Sequence, residues 1–334
     1  MQLTARSVAH LATADARAAI LSHIAAIGPQ IAAARIFIEQ FSGVPVGLVV
    51  LPEYLFTSYP GRIGIADFAA HCAFAPDGPE YAALGAVAQS LGAYLAVNAY
   101  ETDAHFPGLY FQASTVVAPS GDVVLRYRRL NSMYAPTPHD VWSRYLDIYG
   151  EAGVFPVADT SVGRLAAIAS EEILYPEIAR AHALRGAEVF VHSSSEIGAA
   201  QPTNKQIARR ARAFENLAYV VSANTAGISG TAMPLASADG RSAVVDWQGR
   251  VVAEAGPGET FTAFGEIDLA AQRAGRRRPG MTNLLARQRL ELFAGTYAGS
   301  VQAADTMAAT VPERDHFRRA HAATIARLDK AGLI

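Results

Sequence analysis

The chain has 334 residues, 51% of them hydrophobic and 17% charged, and carries a formal net charge of −2. That supplies a sizeable core, argues against disorder, and disfavours a nucleic-acid binder held by phosphate contacts, which would show a basic excess. The single cysteine, Cys72, excludes an intrachain disulfide or a cysteine metal cluster.

Met1–Gly28 lacks a basic cap followed by a continuous apolar block, so no signal peptide is expected. No uninterrupted apolar run reaches the ~18 residues of a membrane span, and a cytoplasmic globular protein is the expectation. The apolar spacing of Ile20, Ile24, Ile27, Ile31 and Ile38 predicts a helix over Asp15–Phe41. Val46–Leu51 is a short apolar run bounded by prolines and predicts a strand buried on both faces. A helix over Glu80–Leu91 and a strand over Tyr94–Tyr100 follow. Gln112–Ala118 and Val123–Arg128 form a hairpin about Ser120-Gly121-Asp122. Next come a strand (Leu165–Ala169), a helix (Ile178–Arg185), a strand (Val189–His192), a helix (Lys205–Leu217) and a strand (Tyr219–Asn224). Strands Ser242–Asp246 and Arg250–Ala255 flank Gln248-Gly249, and Phe264–Asp268 is the last strand expected. Asn283–Phe293, with Thr282 as cap, and Glu313–Leu328 read as helices. Hairpins within an α/β alternation favour two sheets packed face to face over one doubly wound sheet. One domain over residues 1–270 is expected, with a helical extension over 271–334 for packing or dimerisation.

Three segments can carry chemistry. Glu53, in Leu51-Pro52-Glu53, lies just past the end of a buried strand, where open α/β folds place ligands. Arg126, Arg128 and Arg129 cluster at another strand end. Ser170, in Ala169-Ser170-Glu171-Glu172, stands where a small-residue strand turns abruptly into a helix; such an elbow exposes a nucleophile or simply caps the helix.

Taken in order, these pieces resemble the nitrilase superfamily, the carbon–nitrogen hydrolases, and especially its aliphatic-amidase-like branch. The resemblance rests on Leu51-Pro52-Glu53, Arg126-Tyr-Arg-Arg129 and Ser170-Glu-Glu-Ile-Leu-Tyr-Pro-Glu177, then Arg185-Gly-Ala-Glu-Val-Phe190, Arg210-Ala-Arg-Ala-Phe-Glu-Asn216, Ala223-Asn-Thr-Ala-Gly227, Asp246-Trp-Gln-Gly249 and Gly265-Glu-Ile-Asp268. It covers Val46–Asp268. It implies a four-layer αββα sandwich of two packed mixed sheets with outer helices, and a homodimer or higher homo-oligomer. It also implies a carboxylate base at Glu53, a lysine at the position of Arg129 and a cysteine at the position of Ser170. Asp140 is the nearest candidate for the family's second glutamate.

Both replacements bear on mechanism. A serine hydroxyl is far harder to deprotonate than a thiol, and an arginine beside Glu53 weakens it as a base. Three readings follow: acid–base chemistry without a thiol intermediate on a small nitrogen-containing acid or amide, a non-catalytic ligand binder, or an amidase- or nitrilase-type hydrolase in which Ser170 is the working nucleophile or an engineered replacement for cysteine. Glu171 and Glu172 are candidate supporting carboxylates, and Tyr134 and Trp142 candidate pocket walls. Lys205, one of only two lysines, can reach the site if the fold holds. Arg276–Arg278 reads as a solvated run or an oligomer contact. No phosphate loop or metal-ligand spacing occurs, so the expected ligand is a small amide, nitrile or carboxylate, with no cofactor, metal, nucleic acid or membrane.

Overall fold

The computed structural model describes every residue except 262 and 300. Its two main sheets are both mixed. The first runs in the order β2 (Leu48–Val50), β3 (Tyr94–Thr102), β4 (Tyr110–Val117), β5 (Val123–Arg128), with β2 and β3 parallel and the rest antiparallel. The second runs β12 (Val251–Glu254), β11 (Ala243–Val245), β9 (Tyr219–Asn224), β8 (Val189–Ser194), β7 (Gly163–Ala169), β6 (Ala158–Thr160), with β7, β8 and β9 parallel. A small parallel pair, β1 (Thr4–Arg6) with β10 (Gly227–Ser229), stands apart.

The sheets meet face to face through Val50, Ala96, Val116 and Leu125 on one side and Leu165, Ala167, Val189 and Val191 on the other. Helices α1 (Thr13–Ser42), α2 (Ile65–Cys72), α3 (Pro79–Leu91) and α4 (Trp142–Val154) lie with the first sheet, and α5 (Pro176–Leu184) and α6 (Asn204–Asn216) with the second. Helices α1, α3, α5 and α6 are where the sequence reading puts them, because burying one apolar stripe on a sheet is what stabilises a helix of this kind, whereas that reading does not include α2 and α4. By length and composition α1 would also suit a membrane crossing. Here its stripe of Ala16, Ile20, Ile24, Ile27 and Ile31 is buried in the core around the first sheet. Helix α3 approaches the β4–β5 turn so closely that a Cβ on Gly85 would stand 2.7 Å from the Gly121 carbonyl oxygen.

Three expectations fail here. Phe264–Asp268 forms no strand. Gly265 passes over Val244 and Val252, the Asp268 N–H donates to the Tyr219 hydroxyl at 3.1 Å, and the Asp268 carboxylate instead caps α7 (Leu269–Arg277). Asn283–Phe293 is not one helix. The Asn283 amide donates back to the carbonyls of Arg276 and Arg278, which holds the chain in a turn, and α8 spans only Glu291–Tyr297. Arg276 is not a solvated residue, because its guanidinium donates to the carbonyls of Ala187, Asn216 and Leu217 and pins α7 to the second sheet. The last helix, α9 (Asp315–Lys330), is largely exposed, while Met307 before it is buried beside Asp140.

Candidate active site

Glu53 follows β2 by three residues and is buried. Its N–H donates to the Ser194 carbonyl at the end of β8, which ties the two sheets together at this edge. Its Oε1 accepts from Gln112 Nε2 at 2.7 Å and lies 3.5 Å from Arg129 Nη1. Gln112, on β4, turns its Oε1 to Arg129 Nη1 at 2.6 Å and donates from Nε2 to Asn98 as well. Arg129 completes its contacts with Glu171 through Nη2 and with the Asn131 carbonyl through Nε. Strand alternation explains the selection. Arg126 and Arg128 point away to Glu101 and Asp103, Tyr127 points between the sheets, and Arg129, just past the strand, follows Tyr127. Burial by itself disfavours the charge on Arg129, but Glu171 and Glu53 outweigh it and raise its pKa above the usual arginine value.

Ser170 directly follows β7, opening a short 3-10 turn, and is buried, with φ at +51°. A left-handed conformation costs an L-residue about 1–2 kcal/mol, so the surroundings must impose it. The imidazole of His192, on β8, donates from Nε2 to the Ser170 carbonyl at 2.9 Å and accepts at Nδ1 from Ser222 at 2.8 Å. Burial holds the pKa of His192 down to about 3, so the ring stays neutral and keeps this tautomer. The Ser170 hydroxyl meets Lys205. Lys205 Nζ lies 3.2 Å from Ser170 Oγ, 3.1 Å from the Ser195 carbonyl oxygen, 3.4 Å from Ser194 Oγ and 3.7 Å from Glu196 Oε2. A capping box between Thr203 and Gln206 fixes the first turn of α6, from which Lys205 reaches back over β8.

Glu172 is fully buried and holds the loop that carries Arg129. It accepts from the N–H groups of Leu130 and Asn131 at 2.7 and 2.9 Å and from the Tyr127 hydroxyl at 2.7 Å. Burial pushes its pKa up to about 7 against these donors and Arg129.

The fold therefore joins Glu53, Arg129 and Glu171 in one network and brings Ser170 and Lys205 together beside it. Three sequence candidates do not join them. Asp140 directs its carboxylate to Thr137 and Thr306, because it completes the cap of the short 3-10 turn at Pro138–Val141. Tyr134 is 73% exposed and held by its backbone, with Arg314 donating to its carbonyl. Trp142 packs half-buried at the start of α4, its ring 6.1 Å from that of His139. Cys72 is buried in the first core, where its thiol pKa is raised to about 12, and is no nucleophile. Sequence reasoning missed Gln112 and His192. Gln112, like Asn98, is a polar side chain inside an otherwise apolar strand, and that signal was available. Among the described residues no cluster of His, Cys, Asp and Glu is arranged to hold a metal ion.

A serine on a strand-to-helix elbow and a buried glutamate beside the facing sheet thus meet at one edge of a four-layer α/β sandwich. The carbon–nitrogen hydrolase profile matches residues 17–277, and the chain belongs to that family, the nitrilase superfamily. A formamidase of Bacillus cereus is 31% identical over 123 residues, which is 36% of this chain and 33% of that enzyme. The chain thus spans about a third of the formamidases' length at this similarity. An omega-amidase of Xenopus laevis is 26% identical over 223 residues, 66% of this chain and 76% of the relative. Among solved structures, Nit3 of Saccharomyces cerevisiae superposes with a TM-score of 0.58 at 20% identity, covering 83% of this chain and 91% of its own. An amidase of Nesterenkonia sp. gives 0.57 at 20% identity over 89% and 94%. At such identities these two likenesses show the fold, and the fold is the nitrilase sandwich.

Proposed function

We propose that the protein hydrolyses the C–N bond of a small amide, with Ser170 as the acyl acceptor. The observation that carries this reading is the Ser170 hydroxyl, buried on a left-handed elbow and 3.2 Å from Lys205 Nζ. Attack of Ser170 Oγ on the amide carbonyl releases the amine and leaves an acyl-serine. Water then returns the serine and the carboxylic acid. The names of the curated relatives, formamidase and omega-amidase, favour a short substrate. A purely carboxylate-driven acid–base mechanism has less support, because Glu53 and Glu171 are paired on Arg129 and Glu172 is committed to the loop.

A second reading, a ligand binder that does not react, is favoured by one observation. All three nitrogens of Arg129 are engaged, so the site is stable without substrate. Ammonia release from a panel of formamide, short aliphatic amides and terminal amides of dicarboxylic acids separates the two. Turnover that disappears in Ser170→Ala supports the hydrolase. Thermal stabilisation by panel members with no product supports the binder.

A homodimer or higher homo-oligomer fits the exposed Leu184 on α5 and Ile207 and Phe214 on α6. Light scattering on the purified protein tests it.

A further inference from the structure

We infer that Lys205, and not Glu53, is the proton acceptor for Ser170, so that the two form a serine–lysine dyad on the second sheet. The inference rests on the reading of Ser170 as acyl acceptor and names the residue that activates it.

Four observations carry it. First, the hydrogen-bond partner of the Ser170 hydroxyl is Lys205 Nζ, at 3.2 Å, whereas the Glu53 carboxylate is turned to Gln112 and Arg129. Second, Nζ is held over the Ser170 hydroxyl by its other contacts, donating to the Ser195 carbonyl at 3.1 Å and to Ser194 Oγ at 3.4 Å, with Glu196 Oε2 at 3.7 Å. Third, the chain has 28 basic residues, and only Lys205 and Lys330 among them are lysines. An arginine cannot release its proton in a protein and a lysine can, so Lys205 is the basic side chain at this site able to cycle a proton. Fourth, Lys205 is half-buried against a polar cavity lined by His192, Ser194, Glu196, Asn224 and Asp239, and the capping box at Thr203 fixes the turn that presents it.

The step balances within these groups and water. Neutral Lys205 takes the Ser170 proton as the Oγ–carbon bond forms and the carbonyl π pair moves to oxygen. The pair returns, the C–N bond breaks, and the lysine ammonium delivers its proton to the departing nitrogen. Water then attacks the acyl carbon while Lys205 takes its proton. The ester C–O bond breaks, and the proton goes back to the serine oxygen. No other oxidant, reductant or co-reactant is required.

The test uses p-nitrophenyl acetate on the full chain, following p-nitrophenolate release and the acetyl adduct on the Ser170 peptide by mass spectrometry. The parent is expected to acylate at Ser170. Lys205→Arg keeps a cation but no proton acceptor, and its acylation should fall by on the order of 100-fold or more. Lys205→Ala should fall likewise and recover in part with added methylamine, a rescue that a merely structural lysine would not show. Glu53→Gln should lose less than Lys205→Arg. Acylation at the parental rate in Lys205→Arg, or a larger loss in Glu53→Gln than in either lysine variant, overturns the dyad while leaving Ser170 as acyl acceptor. Absence of any adduct on Ser170 in the parent overturns the acyl-acceptor reading itself, and the dyad with it. Should Lys205→Arg misfold by circular dichroism, the amine dependence of Lys205→Ala decides.

Discussion

Arg129 on the first sheet and Glu171 on the elbow of the second close an ion pair across the mouth of the sandwich, and Glu53 lies 3.5 Å from the same guanidinium. One cation thus pairs with two carboxylates from two different sheets. A single guanidinium with a planar fork of donors suits that position better than a point-like ammonium.

Removing that cation should be expensive. Arg129→Ala leaves Glu53 buried and without its counter-charge, and breaking one side of a buried pair costs about 3–5 kcal/mol. Glu171 is about a third exposed, so Glu171→Gln should cost less than about 1 kcal/mol. Urea unfolding of the two variants checks the ordering, and equal losses would contradict it.

Glu172 gives stability an unusual pH dependence. Its folded pKa of about 7 lies above the ordinary 4.5, so the fold carries a penalty for the ionised carboxylate above pH 7. The penalty shrinks as pH falls from about 7 toward 4.5 and is absent below that. Relative to Glu172→Gln, the parent should therefore gain stability on moving from pH 8 to pH 5. Melting temperatures of both proteins across that range measure the difference. A parallel pair of curves would refute it.

Glu188 acts in the opposite sense. Arg273 donates two hydrogen bonds to it and holds its pKa down to about 2, against the ordinary 4.5. Its contribution is present above pH 4.5 and is lost as pH falls toward 2. Glu188→Gln should flatten that acid limb, as read by circular dichroism during acid titration.

The elbow stores strain that a glycine would release. Ser170→Ala and Ser170→Gly both remove the hydroxyl, but only glycine adopts φ near +51° without steric cost. Ser170→Gly should be more stable than Ser170→Ala by about 0.5–1 kcal/mol, after the entropy of the unfolded glycine is counted. Denaturation midpoints decide, and an alanine variant of equal or greater stability would show that the positive φ carries no strain.

Much of this was legible in the residues. Buried runs such as Val46–Leu51 and the 3.6-residue stripe of α1 gave strands and helices near their observed bounds, because burial of local pattern is a local property. The sequence also singled out Glu53, Arg129 and Ser170 as strand ends. Phe264–Asp268 forms no strand because its residue pattern cannot tell whether a sheet edge has room for another strand, and Asp268 caps a helix instead. Asp140 was misplaced because nearness in sequence does not set where a carboxylate turns once Thr137 and Thr306 compete for it.

By itself, then, the sequence determined the layered α/β architecture and the family, and it pointed to Glu53, Arg129 and Ser170 at three strand ends. Tertiary structure alone decided how those groups pair. Gln112 enters between Glu53 and Arg129, Glu172 is drawn into the loop, and Lys205 arrives over Ser170 from 35 residues away. Hydrogen bonds and ion pairs depend on distances of a few ångströms between side chains that only the packed sheets bring together, and no spacing along the chain encodes them.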